Sequence, residues 1–460
     1  MSDSLVSHSP SSSSPHNEAS LTEWLDYMQQ IHVSAIDMGL SRVLPVAEAL
    51  GVVQSAKDDT YVFTVAGTNG KGSTTAVIAQ MCQAAGYKTA LYQSPHLSVF
   101  NERVRINGEM VSDEILINAF RKVEAARLQC DLTLSFFEMT TLAALLIFAE
   151  ADCDVWVLEV GLGGRLDVVN IIDADMAVIT NIAIDHVDWL GDNVEDIGTE
   201  KAGILRDGIS VIYGATEMPT SVQQAIDKHQ ATCYQMGKDF SYREIDSTTW
   251  QYSNAAVTLQ LPRPALSLTN TANALSAVLA SPLNVDTNAI EQALQTVKLA
   301  GRFDYREMHN RQWLFDVAHN EQGVEFLLAQ LLPFWQQHLA KQKTAEQVNQ
   351  TDQAKSTPAS IKMLFSMLGD KDINKVVQCL TEAGLPISDW FIAEIDYPRA
   401  ASTEHLQDIL ARYVDDAQIH AFKRLPEATY AIIAASQPQD LIVVCGSFHT
   451  IGEALFALEM

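Results

Sequence analysis

A glycine-rich segment that carries a lysine and a serine, Gly67–Ser73, is the strongest chemical signal in this sequence. The apolar, β-branched run Tyr61–Val65 before it predicts a buried strand, and the apolar residues of Thr74–Ala85 fall at helical spacing. A strand-to-helix turn of this kind directs backbone N–H groups and the positive end of a helix at one point, which suits a phosphate. Because Lys71 adds positive charge and the Ser73 hydroxyl can bind Mg²⁺, the segment predicts a site for a nucleoside triphosphate.

Two residues depart from the standard phosphate-binding loop. Val65 stands six residues before Lys71, where the standard loop has glycine, and Gly72 follows the lysine, where serine or threonine is usual. A glycine-rich turn with a surface lysine is the alternative to a phosphate site. The strand before the segment, the helix after it and its Lys-Gly-Ser core favour the phosphate site.

Length and composition indicate a large globular protein with an acidic surface. A chain of 460 residues with 47% hydrophobic residues can form two or three domains with sizeable cores. The 57 acidic residues outnumber the 30 basic ones, and the formal net charge is −27, which argues against a nucleic acid or an anionic membrane as a partner. Otherwise the acidic charge indicates little beyond solubility.

The cysteines and the apolar segments give no sign of export or of membrane insertion. The six cysteines lack CxxC spacing, so they predict neither a disulfide framework nor a zinc site. The serine-rich segment Met1–Ser20 lacks the basic start and apolar run of a signal peptide, and we expect a disordered tail. The longest apolar stretch, around Leu142–Ala149, is too short to span a bilayer. The sequence therefore predicts a cytoplasmic protein.

Strand-like and helix-like segments alternate along the chain, which predicts an α/β protein with a mainly parallel sheet. We expect a P-loop ATPase-like domain over residues 21–299 and a smaller, Rossmann-like α/β domain over residues 300–460, with segment 341–360 as a polar surface insertion. The further predicted strands are Lys88–Gln93, Val155–Val160, Met176–Ile182, Trp313–Val317, Ile361–Phe365 and Leu441–Cys445. The further predicted helices are Glu138–Ala149, Glu195–Leu205, Thr271–Ala280 and Glu321–Leu332.

Four polar residues lie at or just beyond the ends of predicted strands, namely Ser73, Ser94, Glu159 and His186. Sites in parallel α/β sheets gather at these carboxyl ends. A carboxylate at the end of a buried strand is unfavourable unless it is paired or binds a metal, so Glu159 suits a Mg²⁺ ligand. The alternative to metal binding for Glu159 is capping or salt bridging. A histidine that follows a strand, such as His186, more often has a structural role than a metal-binding one, and Mg²⁺ usually prefers oxygen ligands. Spacing alone would make Lys201 a solvated surface charge.

Polar residues of the second domain could complete such a site. Asp316 follows a predicted strand, and capping of the next helix is its alternative role. Arg302 lies at the domain junction, where its charge could neutralise a transferring phosphate once the domains close. Asp167 and Arg165, in the glycine-rich turn after Glu159, could hold a substrate or simply fix that turn.

Together these motifs resemble those of the folylpolyglutamate synthases, including the bifunctional bacterial dihydrofolate synthases, within the Mur-ligase-like ATP-dependent amide ligases. Glycine after the lysine of the phosphate loop is the form that this family has. The matching segments follow the family order over about His32–His449, and they are Gly67–Ser73, Ser94–Leu97, Glu102–Arg105, Phe136–Glu138, Glu159–Asp167, Asp185-His186, Glu200–Gly203, Gly301–Phe303, Asp316–Asn320 and Gly446–Thr450.

The resemblance implies a role for each matching residue. The implied ligands of two Mg²⁺ ions are Ser73, Ser94, Glu159, His186 and a carbamylated Lys201. The implied contacts to ATP are Thr68, Asn69, Gly70, Lys71, Gly72, Ser73, Asn270, Arg302 and Asp316. The implied pterin contacts are His32, Phe136, Phe137, Glu138, Leu166, Asp167 and Val168. The implied catalytic residues are Lys71, Lys201 and His319.

The reaction that the resemblance implies has two steps. A carboxylate of dihydropteroate, or of the glutamyl tail of a reduced folate, attacks the γ-phosphate of ATP and gives an acyl phosphate. The amino group of L-glutamate then attacks the carbonyl carbon and expels phosphate. We expect a monomer that acts on these small molecules and binds neither nucleic acid nor membrane.

Two other functions stay open at this point. A Mur-type peptide ligase of cell-wall synthesis would share the phosphate loop, but it normally has a separate N-terminal domain, for which residues 1–66 leave little room. The other alternative is a nucleotide-gated binding module without catalysis. The presence of Glu159, His186, Lys201 and Asp316 argues against it.

Overall fold

Two α/β domains follow each other along the chain, each built around its own sheet. The structure is a computed structural model and describes residues 14–16, 18–32, 38–58, 60–348 and 358–459. An eight-stranded, mainly parallel sheet and a three-stranded antiparallel sheet precede a six-stranded sheet. This architecture confirms the predicted α/β fold class. Within the ranges given, no helix combines the length and the apolar character needed to cross a membrane.

The strands of the first domain are β1 (Tyr61–Ala66), β2 (Thr89–Tyr92), β3 (Val104–Ile106), β4 (Glu109–Met110), β5 (Val155–Glu159), β6 (Met176–Ile179), β7 (Ser210–Tyr213), β8 (Thr232–Gln235), β9 (Phe240–Glu244), β10 (Thr249–Asn254) and β11 (Thr258–Pro262). Its helices are α1 (Leu21–Gln30), α2 (Val43–Leu50), α3 (Val52–Asp58), α4 (Lys71–Ala84), α5 (Asp113–Gln129), α6 (Phe136–Glu150), α7 (Val187–Leu190), α8 (Val194–Ala202), α9 (Thr220–Lys228), α10 (Leu268–Ala280) and α11 (Thr287–Thr296). Its large sheet has the order β4-β3-β2-β5-β1-β6-β7-β8.

The strands of the second domain are β12 (Asp304–Met308), β13 (Arg311–Asp316), β14 (Ile361–Phe365), β15 (Ile387–Ala393), β16 (Ile419–Phe422) and β17 (Leu441–Cys445). Its helices are α12 (Glu321–Val348), α13 (Ile373–Glu382), α14 (Thr403–Leu410), α15 (Leu425–Ala435) and α16 (Phe448–Glu459). Its sheet has the order β12-β13-β17-β14-β15-β16, with β12 antiparallel to β13.

The centre of the large sheet places the phosphate loop beside Glu159. Strand β1 is buried along almost its whole length and pairs in parallel with β5 and β6, as expected of an apolar run covered on both faces. Val65 near the end of β1 is in register with Glu159 at the end of β5. Because parallel strands end at one edge of a sheet, the loop after β1 and the Glu159 carboxylate face the same space.

The second sheet presents its own polar edge in the same way. Asp316 at the end of β13 is in register with Cys445 at the end of β17, and the two strands are parallel. Asp316 and the turn at Gly446 therefore lie side by side. One face of this sheet packs on a core that includes α12, α13 and α14, and the other face on a core that includes α15 and α16.

Helix α12 runs further than its sequence predicts. The predicted end at Leu332 precedes Pro333, yet the helix continues through Pro333 to Val348 and into the predicted insertion. Trp335 is only 5% exposed within the core, and the His338 ring lies 2.9 Å from the Gln439 carbonyl. These contacts stabilise the helix after the proline. The rest of the insertion includes residues 349–357, which lie outside the described residues.

Part of the predicted disordered tail belongs to the first domain. Ser20 caps α1, and its side chain and that of Glu23 form a capping box. The Ser14 hydroxyl donates to Glu124 at 3.0 Å. The prediction of disorder is therefore wrong for Ser14 and Ser20. Residues 1–13 and 17 of the tail lie outside the described residues.

Candidate active site

A cavity between the two domains brings the predicted nucleotide site together. From the first domain it is lined by Thr68, Asn69, Gly70, Lys71, Gly72, Ser73, Ser94, Glu159, Asp185, His186 and Asn270. From the second domain it is lined by Arg302, Phe303, Asp316, His319, Lys371 and Ser447, among others. All the residues predicted to contact ATP are in this set. So are all the predicted metal ligands except Lys201.

The phosphate loop needs glycine because its backbone passes close to neighbouring side chains. A Cβ on Gly67 would lie 1.8 Å from the Thr180 hydroxyl oxygen, and one on Gly70 would lie 2.2 Å from the Asn270 amide oxygen. Gly70 also has φ +85°, in the left-handed region, and α4 begins at the next residue. Lys71 therefore belongs to the first turn of the helix, where backbone N–H groups are free for an anion.

The Lys71 ammonium is enclosed by its own loop. Its Nζ donates to the carbonyl oxygens of Gly67 at 3.0 Å and Thr68 at 3.3 Å, and burial lowers the pKa of this lysine. Lys71 is thus half-buried, and its ammonium is bonded to the loop, which does not fit a fully solvated surface lysine. A bound phosphate would replace weak carbonyl acceptors by a charged one, which is the stronger partner for an ammonium.

Glu159 is a buried carboxylate facing the loop. Its side chain is 4% exposed, and burial raises its pKa to about 7 against the opposing charges of Lys71 and Arg302. A Cβ on Gly72 would lie 3.5 Å from Glu159 Oε2, so a longer side chain at this position would take up the space beside the carboxylate. Gly72 is therefore a direct neighbour of the carboxylate, at an ordinary van der Waals distance.

The predicted metal ligands are compatible with a hard divalent cation. Among the described residues there is no group of three or more His, Cys, Asp or Glu side chains that could hold a metal. The predicted set instead combines the hydroxyls of Ser73 and Ser94 with Glu159 and His186. The His186 side chain is 49% exposed, and partial desolvation, together with the charges of Lys371 and Lys71, lowers its pKa, so its imidazole is neutral and able to coordinate at neutral pH. A buried carboxylate without a neutralising cation is unfavourable, which fits a cation at Glu159.

Lys201 is buried beside the nucleotide cavity. It lies in the last turn of α8, is 4% exposed, and lines a small adjoining cavity together with Lys71, Asp185 and His186. Burial, followed by the charge of Lys71, lowers the pKa of Lys201 to about 7. The solvated position suggested by spacing alone is therefore wrong. Only the family resemblance singled this lysine out from the sequence.

Arg302 and Asp316 occupy the side of the cavity that belongs to the second domain. Arg302 Nη1 is buried and has no hydrogen-bond partner within the described residues, and the guanidinium lies 4.8 Å from the centre of the Phe448 ring. The Asp316 carboxylate accepts from the backbone N–H groups of Phe303 and Ala318, each at 2.9 Å. Asp316 thus fixes the turn after β13 instead of capping α12, and Arg302 retains a buried donor for an anion.

Contacts across the domain boundary centre on Asp185. This carboxylate accepts from Lys371 Nζ at 2.6 Å and from Asn320 Nδ2 at 3.3 Å, and His319 Nε2 is 3.8 Å away. Although burial opposes ionisation, the nearby His319 and His186 rings and the hydrogen-bonded Lys371 ammonium hold the pKa of Asp185 well below its usual value. His319 Nδ1–H donates to the Val317 carbonyl at 2.8 Å, which leaves Nε2 on the side of Asp185.

The predicted pterin residues do not line the nucleotide cavity, and both acids among them are already hydrogen-bonded. Glu138 accepts from the Ser135 N–H at 2.6 Å and from Arg42 at 2.8 Å. Asp167 accepts from the N–H groups of Gly161, Leu162 and Val169 at 2.9–3.0 Å and so fixes the turn after β5. Asp167 thus has the structural role predicted for it, and its contact with a substrate stays a prediction. Arg165 is paired with Glu200 at 2.7 Å.

The other predicted pterin residues are apolar or lie at the edge of the first domain. Phe137 rests on the backbone of the turn after β5, since a Cβ on Gly161 would lie 2.5 Å from its ring. Phe136 packs at the edge of the core, Val168 is buried and Leu166 is half-buried. The His32 ring lies 3.2 Å from the Thr133 hydroxyl. Residues 33–37, which follow His32 in the predicted loop, lie outside the described residues.

Comparison with known proteins agrees with this geometry. Residues 65–281 match the model of the Mur ligase middle domain. The chain is 38% identical to the dihydrofolate synthase/folylpolyglutamate synthase of Escherichia coli strain K12 over 458 residues, which covers 99% of this chain and 98% of that protein. This chain belongs to the family of bifunctional dihydrofolate synthases/folylpolyglutamate synthases. It is therefore an ATP-dependent ligase, as predicted.

Solved structures of this family share the fold over nearly the whole chain. The structure of E. coli FolC in complex with DHPP and ADP has a TM-score of 0.85 and 37% identity, and the match covers 97% of this chain and 99% of that one. A bifunctional folylpolyglutamate synthase/dihydrofolate synthase with Mn, AMPPNP and L-glutamate bound has a TM-score of 0.84 and 35% identity, covering 97% of this chain and 100% of the other.

Sequence reasoning missed Lys371, and it left Asp185 without a role. Asp185 precedes His186 at the end of a strand, which was a usable signal. The sequence around Lys371 carries no such signal, because its partner Asp185 lies 186 residues away along the chain. The same holds for Gln322, whose side-chain oxygen accepts from Asn69 of the phosphate loop at 2.8 Å.

A close backbone contact at Gly164 positions the helix that carries Lys201. A Cβ on Gly164 would lie 2.8 Å from the Glu200 carbonyl oxygen and 3.0 Å from that of Lys201. Because these backbone atoms can move only if α8 shifts, we expect Gly164→Ala to lower the free energy of unfolding by about 1–3 kcal/mol. Urea denaturation would measure this change. The control is Gly369→Ala, whose Cβ meets backbone atoms only at 3.7 Å, and equal stability of the two variants would contradict the prediction.

Proposed function

We propose that this chain joins L-glutamate through an amide bond to dihydropteroate and also to the glutamyl tail of reduced folates, by way of an acyl phosphate. The observation that carries the proposal is the single cavity in which the phosphate loop and Glu159 of the first domain meet Arg302 and Asp316 of the second. The names of its relatives supply the substrate class. DHPP with ADP, and L-glutamate with AMPPNP, are bound in the related structures.

ATP would bind with its phosphates at the start of α4. Lys71 would exchange the carbonyl groups of its own loop for phosphate oxygens, and Arg302 would use its unpartnered Nη1 on the same charge. Asn270, in contact with Gly70, and Asp316 would complete the contacts to the nucleotide. The low dielectric of this partly buried site raises the strength of each such contact above its value in water.

Ser73, Ser94, Glu159 and His186 would hold the divalent cations. We propose Mg²⁺ as the resident ion, since it prefers oxygen ligands and accompanies ATP, and a related structure contains Mn. When bound, the cations offset the negative charge of the phosphates and of the substrate carboxylate that must approach them. Glu159 is the anionic ligand of this set, so it would contribute most to cation affinity.

Lys201 would be carbamylated in the active enzyme. Carbamate formation needs a neutral amine, because the nitrogen lone pair forms a bond to the carbon of CO₂ and one amine proton is released. A pKa near 7, caused by burial and by Lys71, leaves a large fraction of this amine neutral at neutral pH. The new carboxylate would lie beside His186 and Asp185 in the adjoining cavity, where it would serve the second cation.

The contacts at Asp185 would keep the two domains closed around the acyl phosphate. Lys371, Asn320 and His319 reach this carboxylate from the second domain. Closure excludes water, which would otherwise hydrolyse the intermediate before the amine of L-glutamate attacks. His319 would orient L-glutamate or accept its amine proton through Nε2. Phe137 would pack against the pterin ring at the turn after β5.

We also propose that the protein acts as a monomer in the cytoplasm. All six cysteines are unpaired, which fits a reducing compartment. Size-exclusion chromatography with light scattering would measure the mass of the particle, for which the chain alone accounts for 50.6 kDa.

Product analysis with two acceptor substrates tests the proposed function. Purified protein with Mg·ATP and L-glutamate is expected to convert dihydropteroate to dihydrofolate and tetrahydrofolate to its diglutamate, with one phosphate released for each amide bond. Mass spectrometry of the products and a phosphate assay would measure both. The absence of product from both acceptors, with phosphate release stimulated by UDP-muramyl substrates, would favour a Mur-type ligase instead.

A further inference from the structure

A second cavity shares one wall with the nucleotide cavity and is not used by the reaction proposed above. Its volume is about 760 Å³, within the range of roughly 300–1,000 Å³ that is typical of small-molecule sites. We call it the linker cavity, because the domain linker Lys298–Ala300 forms one wall and residues of β12 and α12 form another. The wall common to both cavities consists of Leu266, Arg302, Phe303 and Gln330.

The linker cavity reverses the charge balance of the chain. The whole sequence has 57 acidic and 30 basic residues, whereas five basic and three acidic residues line this cavity. Two of the acids are neutralised by ion pairs, Glu244 with Arg263 at 2.7 Å and Asp304 with Arg306 at 2.8 Å. The third, Asp246, accepts hydrogen bonds within its own turn.

Besides Arg302 of the common wall, two cations that line the cavity lack a carboxylate ion pair among the described residues. Lys298 is exposed and makes no hydrogen bond or ion pair among the residues that the structure describes. Arg105 donates to the carbonyl oxygens of Glu102 at 3.3 Å and Gly108 at 3.4 Å, which leave its charge uncompensated. Lys298 and Arg105 thus provide positive charge for an anionic ligand in an otherwise acidic protein.

Aromatic rings line the wall formed by the second domain. The centre of the Phe334 ring lies 5.6 Å from that of Phe303 and 5.5 Å from that of Tyr305. Tyr305 is 39% exposed, so part of this aromatic surface is open to a ligand. A planar ring can pack against such a surface by edge or offset contacts, within the same cavity that Lys298 and Arg105 line.

From these features we propose that the linker cavity binds an aromatic polyanion, a planar ring system that bears several carboxylates or phosphates. The ring packs against Phe334 and Tyr305, and the anionic groups contact Lys298 and Arg105. A folate polyglutamate supplies such carboxylates, and a nucleotide supplies such phosphates. The binding inference does not depend on the proposed ligase reaction, whereas its coupling to the nucleotide cavity rests on the contact between Arg302 and ATP proposed above.

Occupancy of the linker cavity is coupled to the nucleotide cavity through their common wall. An anion that attracts the Arg302 guanidinium toward the linker cavity withdraws it from the ATP phosphates. A shift of Phe303 on ligand binding would also move Asp316 in the nucleotide cavity, because the Phe303 N–H donates a hydrogen bond to the Asp316 carboxylate. We therefore expect a bound polyanion to weaken nucleotide binding by about fivefold or more, the usual lower range for coupled sites.

Calorimetric stoichiometry tests the proposal on the full-length protein. In one arm, pteroylpentaglutamate is titrated into protein that is saturated with Mg·AMPPNP. In the other arm, Mg·AMPPNP is titrated into the ligand-free protein until it is in excess. We expect the wild type to bind one equivalent more of at least one probe than Lys298→Glu does, and one more than Phe334→Ala does. The matched control is Lys228→Glu, a charge reversal of an exposed lysine at the end of α9, which should bind as the wild type does.

Equal stoichiometry in the wild type and in Lys298→Glu for both probes would overturn the proposal. An extra equivalent seen with pteroylpentaglutamate alone identifies a carboxylate ligand, and one seen with Mg·AMPPNP alone identifies a phosphate ligand. The dissociation constant of Mg·AMPPNP, measured with and without pteroylpentaglutamate, tests the coupling. An unchanged constant in the wild type would overturn the coupling. Circular dichroism of each variant confirms that it is folded.

Discussion

Replacement of Lys201 by alanine is expected to lower ligase turnover by about 10²–10³-fold, the effect of removing one group that stabilises charge at a reacting centre. The side chain is 4% exposed and its pKa is lowered to about 7, so the amine is enclosed and a large fraction of it is neutral at neutral pH. Removal of this amine removes the carbamate that we propose as a ligand of the second cation. The turnover number at saturating Mg·ATP would measure the loss.

Chemical rescue separates the carbamate from a merely structural lysine. A short carboxylic acid such as acetate can enter the space left in Lys201→Ala and supply the missing carboxylate, so partial recovery of activity is expected. The control is Lys228→Ala on α9, which should show neither the loss nor the rescue. Activity of Lys201→Ala equal to that of the wild type would contradict the carbamate.

Replacement of Glu159 by glutamine is expected to lower turnover by about 10³-fold, because the amide keeps the size of the side chain but lacks the charge that holds a cation. The apparent affinity for Mg²⁺ should fall as well, and this is measured by the Mg²⁺ dependence of phosphate release. The control Glu109→Gln changes an exposed acid of β4 and should leave both quantities unchanged. A variant at Glu159 with the Mg²⁺ dependence of the wild type would show that this carboxylate does not bind the cation.

The same substitution should stabilise the ligand-free protein. Burial raises the pKa of Glu159 from 4.5 to about 7, so the ionised carboxylate opposes folding. The loss of folding free energy caused by the ionised carboxylate is absent below about pH 4. It grows as the pH rises from about 4.5 to about 7, and it reaches about 3 kcal/mol above pH 7. In the presence of EDTA, we expect the free energy of unfolding of Glu159→Gln to exceed that of the wild type at pH 8 but not at pH 4. Equal stability at both pH values would be inconsistent with a buried, unneutralised carboxylate.

The fold class and the nucleotide segment could be predicted because their signals are local. One short stretch, Tyr61–Ser73, holds an apolar strand, the glycines that let the chain turn, and a lysine and a hydroxyl in the first helical turn. The antiparallel sheet β9–β11 was missed. Its strand β10 buries alternate residues only, Trp250 and Tyr252, within a polar segment. The continuation of α12 past Pro333 was missed because distant core contacts override a local helix breaker.

The role of each polar side chain could not be predicted in the same way. Glu138 and Asp167 match pterin-binding positions of the family, yet their oxygens already accept hydrogen bonds from the chain. The sequence places an acid at a position, but only packing decides which donors surround it. Their assignment to the pterin therefore stays a prediction, and the contacts show what a ligand would have to displace.

By itself the sequence determined the α/β architecture, the phosphate loop with its glycine at position 72, and the family. These follow from the residue types and the spacing of apolar residues within single segments, because such signals depend only on residues near one another in the chain. Only the tertiary structure decided that Lys201 is buried beside Lys71, that Asp185 meets Lys371 across the domains, and that a second cavity adjoins Arg302. Each of these depends on how elements far apart in the chain pack together, since burial and long-range pairing set the charge state and the partners of a side chain.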